Sequence, residues 1–176
     1  IARREGDVAL EMQTLAYASA VSSAHLHWQE SVDNGLRAIE LATGDGNTVS
    51  DYVSRVWTAL SLLAMGELDA ARPYAFFLRD RAERRGTPRP AVAFSLMLNT
   101  ILSGLEGDWT AAREYSDRGL DVSPLHPQLL FARALLEHET GESAQGEIYL
   151  ERLLEATPET LPLAVVPIAI ASIARI

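Results

Sequence analysis

The chain contains no cysteine and no lysine. Without cysteine these residues form no disulfide, supply no thiol nucleophile and build no thiolate zinc site. Without lysine there is no phosphate-binding loop, which needs its Lys, and no Schiff-base chemistry. All 15 basic residues are arginine, a bias that reads as coding composition more than physics. No run of 18 apolar residues passes without a breaker, so no membrane helix is expected. Residues 1–20 carry no apolar core with a cleavage site behind it, so no leader is read there. The first residue is Ile1, and the sequence reads as an excised piece of a longer chain of cytoplasmic location. A net charge of −9 argues against direct nucleic-acid binding, which requires a basic face to neutralise phosphates.

One short pattern, with a small residue five places after its Gly, is present three times. A Gly is followed eight residues on by a Tyr: Gly66 and Tyr74, Gly107 and Tyr115, Gly141 and Tyr149. The last two copies lie 34 residues apart, and each is followed by a Pro 17 residues after its Gly, Pro124 and Pro158. A fixed period of this size marks stacked helical hairpins, because one hairpin cannot bury its apolar face alone. Gly allows the positive φ that closes a tight helix–helix turn. Five residues later a small residue lets the helices approach: Ala71, Ala112 and Gly146. The Pro then stops the hairpin.

Apolar periodicity supports helices nearly throughout, at about 7–22, 25–42, 49–64, 67–85, 91–105, 108–122, 128–139 and 142–156. Val53, Val56, Trp57, Leu60 and Leu63 share one face of the third; Tyr52, Ala59 and Leu62 make its other side apolar too, as in a helix buried between neighbours. A ninth segment, 161–176, is almost wholly apolar but interrupted by Pro162 and Pro167. No period-2 alternation suggests a sheet.

These residues resemble the tetratricopeptide repeat (TPR). The run from Gly107 to Tyr115, with Gly119, Leu120 and Pro124, carries the likeness best; Gly141 to Pro158 and Gly66 to Arg72 follow it. The first-helix signature of that family is missing from each copy, Ala59, Thr100 and Ala134 holding its small position. In the first hairpin Asp33-Asn34-Gly35-Leu36 echoes Asp117-Arg118-Gly119-Leu120, which puts Trp28 where a small residue is expected. The resemblance implies an all-α, right-handed α-solenoid of about four TPR-like hairpins (7–42, 49–85, 90–122 and 126–156) in a single domain, plus a trailing helix. The Leu-x-x-x-Gly-Asp/Glu-x-x-x-Ala-Arg style is similar to the sensor arms of large bacterial signalling ATPases, LuxR-type transcription regulators related to the maltose regulator. That likeness implies a non-catalytic module binding a protein, peptide or ligand, or other domains of its parent. Self-association of the parent is the alternative, and an α-helical enzyme a third reading.

In tetratricopeptide arrays the first helix of each hairpin lines the concave surface. The matching positions are Val53, Val56 and Leu60, then Phe94, Met97 and Ile101, then Gln128, Phe131 and Leu135. They form an apolar groove suited to an amphipathic peptide or lipophilic ligand, or, if the frame is off by one residue, ordinary core. In the trailing helix Val165, Ile168 and Ile173 are candidates for an interface, including a homodimer.

Sharper chemistry is not supported. His25 and His27 stand two apart, which on a helix is not one face, so they read as a solvated or capping pair rather than a metal site. His138, between Glu137 and Glu139, reads as a polar helix end. Arg79, Arg81, Arg84, Arg85 and Arg89 suit a helix C-terminus more than an anionic partner. The segment 44–48 lacks the residues of a phosphate or calcium loop. Ser, His and Asp all occur, but no Gly-x-Ser-x-Gly frame joins them. No catalytic residue, metal ligand or cofactor is assigned.

Overall fold

A computed structural model describes residues 5–42, 49–84 and 86–160, the side chains of 5–7 and 157–160 excepted. Among them are eight α-helices and no strand: α1 (Glu5–Ala24), α2 (Trp28–Leu41), α3 (Val49–Ala64), α4 (Leu68–Ala82), α5 (Arg89–Glu106), α6 (Trp109–Val122), α7 (Pro127–Glu139) and α8 (Ser143–Thr160). The chain divides into two compact units, Ile1–Leu78 and Arg79–Ile176. Contacts run between helices close in chain order, as in a repeat-like helical array: α1 with α2 and α3, α2 with α3, α5 with α6 and α7, α6 with α7, α7 with α8.

Four helix ends are built the same way. Gly66, Gly107 and Gly141 have φ of 81, 81 and 87°. At each, the next amide donates to the carbonyl five residues back: Glu67 to Leu62 (2.9 Å), Asp108 to Ser103 (2.9 Å) and Glu142 to Glu137 (2.8 Å). The Gly amide itself reaches the carbonyl three back, at 3.1 Å each time. This is the Schellman turn, and it satisfies carbonyls that the helix end would otherwise leave open. The fourth copy lies between α1 and α2. There His27 donates to Ser22 (2.9 Å) and Leu26 to Ser23 (3.0 Å), and the left-handed residue is Leu26, φ 64°. A leucine in that conformation carries Cβ strain of about 1 kcal/mol that a glycine does not.

Leu26 therefore corrects the frame of the first hairpin. Five residues after it stands Ser31, fully buried, the counterpart of Ala71, Ala112 and Gly146. Trp28 instead opens α2 and is half-buried. The Asp-Asn-Gly-Leu echo misplaced the hairpin by three residues because it matched letters in the second helix, whereas the turn sets the register. Twelve residues after each turn, Ala38, Leu78, Gly119 and Leu153 are all buried. Three helix limits also differ from expectation, the first being the end of α4 at Ala82 rather than near 85. α2 begins at Trp28 rather than near 25, because 25–27 form the turn. α8 runs through Pro158 to Thr160. A proline removes one amide and crowds one carbonyl, and near a helix end that disturbs little of the ladder.

In the first unit the core joins Met12 and Ala16 of α1, Val32 and Ala38 of α2, and Val56, Ala59, Leu62 and Leu63 of α3. Hydroxyls fill the seam between these helices. Ser19 donates to the Ser31 carbonyl (2.8 Å), Ser31 to the Ser19 carbonyl (2.9 Å), and Ser61 to Ser31 Oγ (2.8 Å). Gly35 makes the close approach possible: a Cβ there would lie 2.1 Å from Thr58 Oγ1. On the α4 side, Arg55 stacks on the Phe77 ring at 4.1 Å and donates to the buried Asp51 at 2.9 Å.

The second unit has a more apolar core, with Leu96, Met97, Leu98 and Leu102 of α5 against Leu129, Leu130 and Leu136 of α7. Pro90 near the start of α5 and Pro127 at the start of α7 suit first-turn positions, where no amide partner is needed. Asp108 caps α6, accepting from the Ala111 amide at 3.0 Å.

Candidate functional site

Each of the three groove triads has the same burial pattern. The central residues, Val56, Met97 and Phe131, are buried. The flanking residues are half-buried: Val53 and Leu60 on α3, Phe94 and Ile101 on α5, Gln128 and Leu135 on α7. In the second unit α5 and α7 are direct neighbours, so two of the triads lie on adjoining helices; the third belongs to the first unit. Val165, Ile168 and Ile173 lie outside the described residues.

Beside Phe94 stands a feature that sequence reasoning missed. His126 is the N-cap of α7 and is 9% exposed. Its ring meets Phe94 edge-on, centroids 5.1 Å apart and planes at 84°. Its Nδ1 is buried without a hydrogen-bond partner. Burial penalises the imidazolium and pulls the pKa down to about 4. The loop that carries His126 is held from both sides. Arg89 donates twice to the Val122 carbonyl (3.2 and 2.6 Å), and Arg152 to the Pro124 carbonyl (2.9 Å).

A second missed feature is an ionic network joining α6, α7 and α8. Glu137 is 3% exposed and accepts from Arg113 Nη2 (2.7 Å) and from Arg133 Nε (2.5 Å). Arg113 also donates to Thr140 Oγ1 (2.7 Å). Arg133 donates to Ser116 Oγ (2.7 Å) and Asp117, and its guanidinium lies 5.1 Å from the Tyr149 ring centre. The hydrogen bond from Arg113 is the main cause that holds the Glu137 carboxyl below its usual range, and the same bond raises Arg113. Burial works against the charge of Arg133, but its bonds to Glu137 and Asp117 outweigh that and raise its pKa. Among the described residues every partner of the carboxylate is a guanidinium, so the cluster reads as an internal cross-brace. The available signal was Arg133 and Glu137 at i, i+4, the first within and the second just after the apolar run from Leu129 to Leu136 of α7.

The other candidates are dispersed. His25 Nδ1 bonds to its own helix at the Val21 carbonyl (2.8 Å), and His27 lies 3.5 Å from Glu30. His138 sits near Ser143 Oγ at 3.4 Å. Arg79 reaches Tyr115 Oη and Asp80, both at 3.4 Å. Arg84 is exposed, and Arg85 and the 44–48 loop lie outside the described residues. Among the described residues no group of three or more His, Asp or Glu could hold a metal ion, and no helix is long and apolar enough to cross a membrane.

No family model matches this chain, and no curated protein matches it.

Proposed function

We propose that the chain is a right-handed α-solenoid of tetratricopeptide-like hairpins that serves as a non-catalytic binding module for an amphipathic peptide, a partner protein or a lipophilic ligand. The observation that carries this reading is the fourfold turn at Leu26, Gly66, Gly107 and Gly141, each followed five residues later by a small buried residue, Ser31, Ala71, Ala112 and Gly146. Identical turns and identical close approaches make hairpins that stack in series, and such stacks expose one helix of each pair along a continuous face. On α5 and α7, which are neighbours, the half-buried Ile101 and Leu135 are the apolar part of such a face. Partly covered aliphatic side chains give a peptide an apolar strip to bury without exposing the core to water.

The test is selection of binding peptides from a display library against the whole chain, followed by affinity measurement on Ile101→Asn and Leu135→Asn. Binding should weaken at least about tenfold in both, with unchanged helicity. Peptides that bind both variants as well as the parent would overturn the assignment.

A further inference from the structure

Asn34 and Gly35 stand side by side in the middle of α2. In an Asn-Gly pair the main chain reacts readily with the side chain before it, because glycine leaves its amide nitrogen unhindered. The pair is at home in turns, where glycine takes up positive φ. Here it is helical. Ser31, Gly35 and Ala38 form the buried stripe of α2, at helical spacing. Gly35 has no room around it: a Cβ would lie 2.1 Å from Thr58 Oγ1, 3.1 Å from Ser19 Oγ and 3.3 Å from the Ser54 carbonyl. Asn34 is half-buried. Arg37 follows three residues later, exposed and bonded to Glu40 at 3.1 Å.

We propose that Asn34 is a deamidation site that the fold holds closed, and that its isoaspartyl product bars the first unit from its native packing. The reaction needs only water. The Gly35 nitrogen, giving its proton to solvent base, attacks Asn34 Cγ. That C–N bond forms, the bond from Cγ to the carboxamide nitrogen breaks, and ammonia leaves. The cyclic imide then takes up water at one of its two carbonyls. Hydrolysis at Cγ leaves aspartate. Hydrolysis at the main-chain carbonyl leaves isoaspartate, with the chain running through Cβ and Cγ. The helix blocks the first step. A helical amide donates to the carbonyl four residues back, which for Gly35 is that of Ser31, and helical ψ keeps the nitrogen away from Cγ. The Ser31 carbonyl is itself fixed, accepting from Ser19 Oγ at 2.8 Å. The two products differ in consequence. Aspartate keeps the main chain and adds a carboxylate three residues before Arg37, a favourable helical spacing. Isoaspartate lengthens the main chain by one carbon between Ser31 and Gly35, so the two no longer share a stripe. Gly35 then cannot face Thr58 while Ser31 keeps its bonds to the Ser19 carbonyl and Ser61. A close-packed seam has no slack to absorb that shift. Each opening of α2 that ends in isoaspartate is therefore irreversible.

The experiment is peptide mapping of the whole chain held at mildly alkaline pH, with and without guanidinium chloride. Electron-transfer fragmentation tells isoaspartate from aspartate. Asn34 should deamidate at least about a hundredfold faster in the denaturant than in buffer, because only the open fraction reacts. At intermediate denaturant the rate should rise in step with the loss of helicity. Once the denaturant is removed, Asn34→Asp should recover the far-ultraviolet dichroism of the parent, and the aged fraction carrying isoaspartate should not. Asn34→Gln, whose imide would need a larger ring, should refold fully after the same treatment. Equal rates with and without denaturant would overturn the proposal. So would an isoaspartyl chain that regains the parent's dichroism, an Asn34→Asp chain that does not, or an aged Asn34→Gln chain that refolds as poorly as the aged parent.

Discussion

Lowering the pH should weaken the second unit through His126, and the effect can be sized. The unfolded imidazole titrates near 6.5 and the folded one at about 4. The folded pKa is depressed, so the unfolded state binds the extra proton. Stability is then fully present above the unfolded pKa and is lost as pH falls from about 6.5 toward about 4, with no further loss below that. A difference of 2.5 units at 1.36 kcal/mol each amounts to about 3 kcal/mol, of which about 2.5 kcal/mol is lost between pH 7.5 and 4.5. Carboxylates also titrate in this range, so the measurement is a difference. Urea unfolding of the parent and of His126→Phe is followed by dichroism at several pH values. Phenylalanine fills the space against Phe94 and removes the buried Nδ1 that has no partner. The stability gap between the two proteins should shift in favour of His126→Phe by about 2.5 kcal/mol on acidification. The His126 ring resonances should titrate near 4 in the folded protein. A gap that stays constant with pH, or a ring titrating near 6.5, would refute the reasoning.

Three other substitutions test the packing. Leu26→Gly should stabilise the first unit by about 0.5–1 kcal/mol, since it relieves a left-handed leucine whose side chain is half exposed; a loss of stability in urea unfolding would contradict the shared turn. Gly35→Ala should cost about 1–3 kcal/mol and cost clearly less in a Thr58→Ala background, as a double-mutant cycle would read, because the Cβ meets Thr58 Oγ1. Glu137→Ala should cost about 3 kcal/mol by leaving Arg133 buried beside Arg113, the low end for a broken buried pair because Asp117 remains. A melting temperature equal to that of the parent would show the network to be dispensable.

Much of the helical layout was legible, for physical reasons that also mark where it failed. The glycines at 66, 107 and 141 stand where only a residue tolerant of positive φ is comfortable, so their spacing disclosed three turns directly. Leu26 broke that rule at the first turn, and the frame slipped by three residues. The apolar periodicity located α3 to the residue, its far end being closed by the Gly66 turn. What the sequence concealed was polar. Ser19, Ser31 and Ser61 look like solvated residues, yet they pair across a helix seam that Gly35 brings close. Arg133 and Glu137 are an i, i+4 pair of one helix, but Arg113 comes from another, and its meeting with them depends on a tertiary placement that no local spacing announces. His126 sits after a Pro-Leu pair and reads as loop; only Phe94, 32 residues earlier, makes it a buried ring. The groove triads were chosen by repeat position, and the alternation of buried centre and half-buried flank follows from helix geometry once α5 and α7 lie side by side.

The binding account is tested most directly by methyl NMR of the chain titrated with a selected peptide. The account predicts that the Ile101 and Leu135 methyl resonances shift with a common saturation point while those of buried Leu98 and Leu129 stay in place. Shifts confined to Leu10 and Val21, or spread evenly through the core, would contradict it.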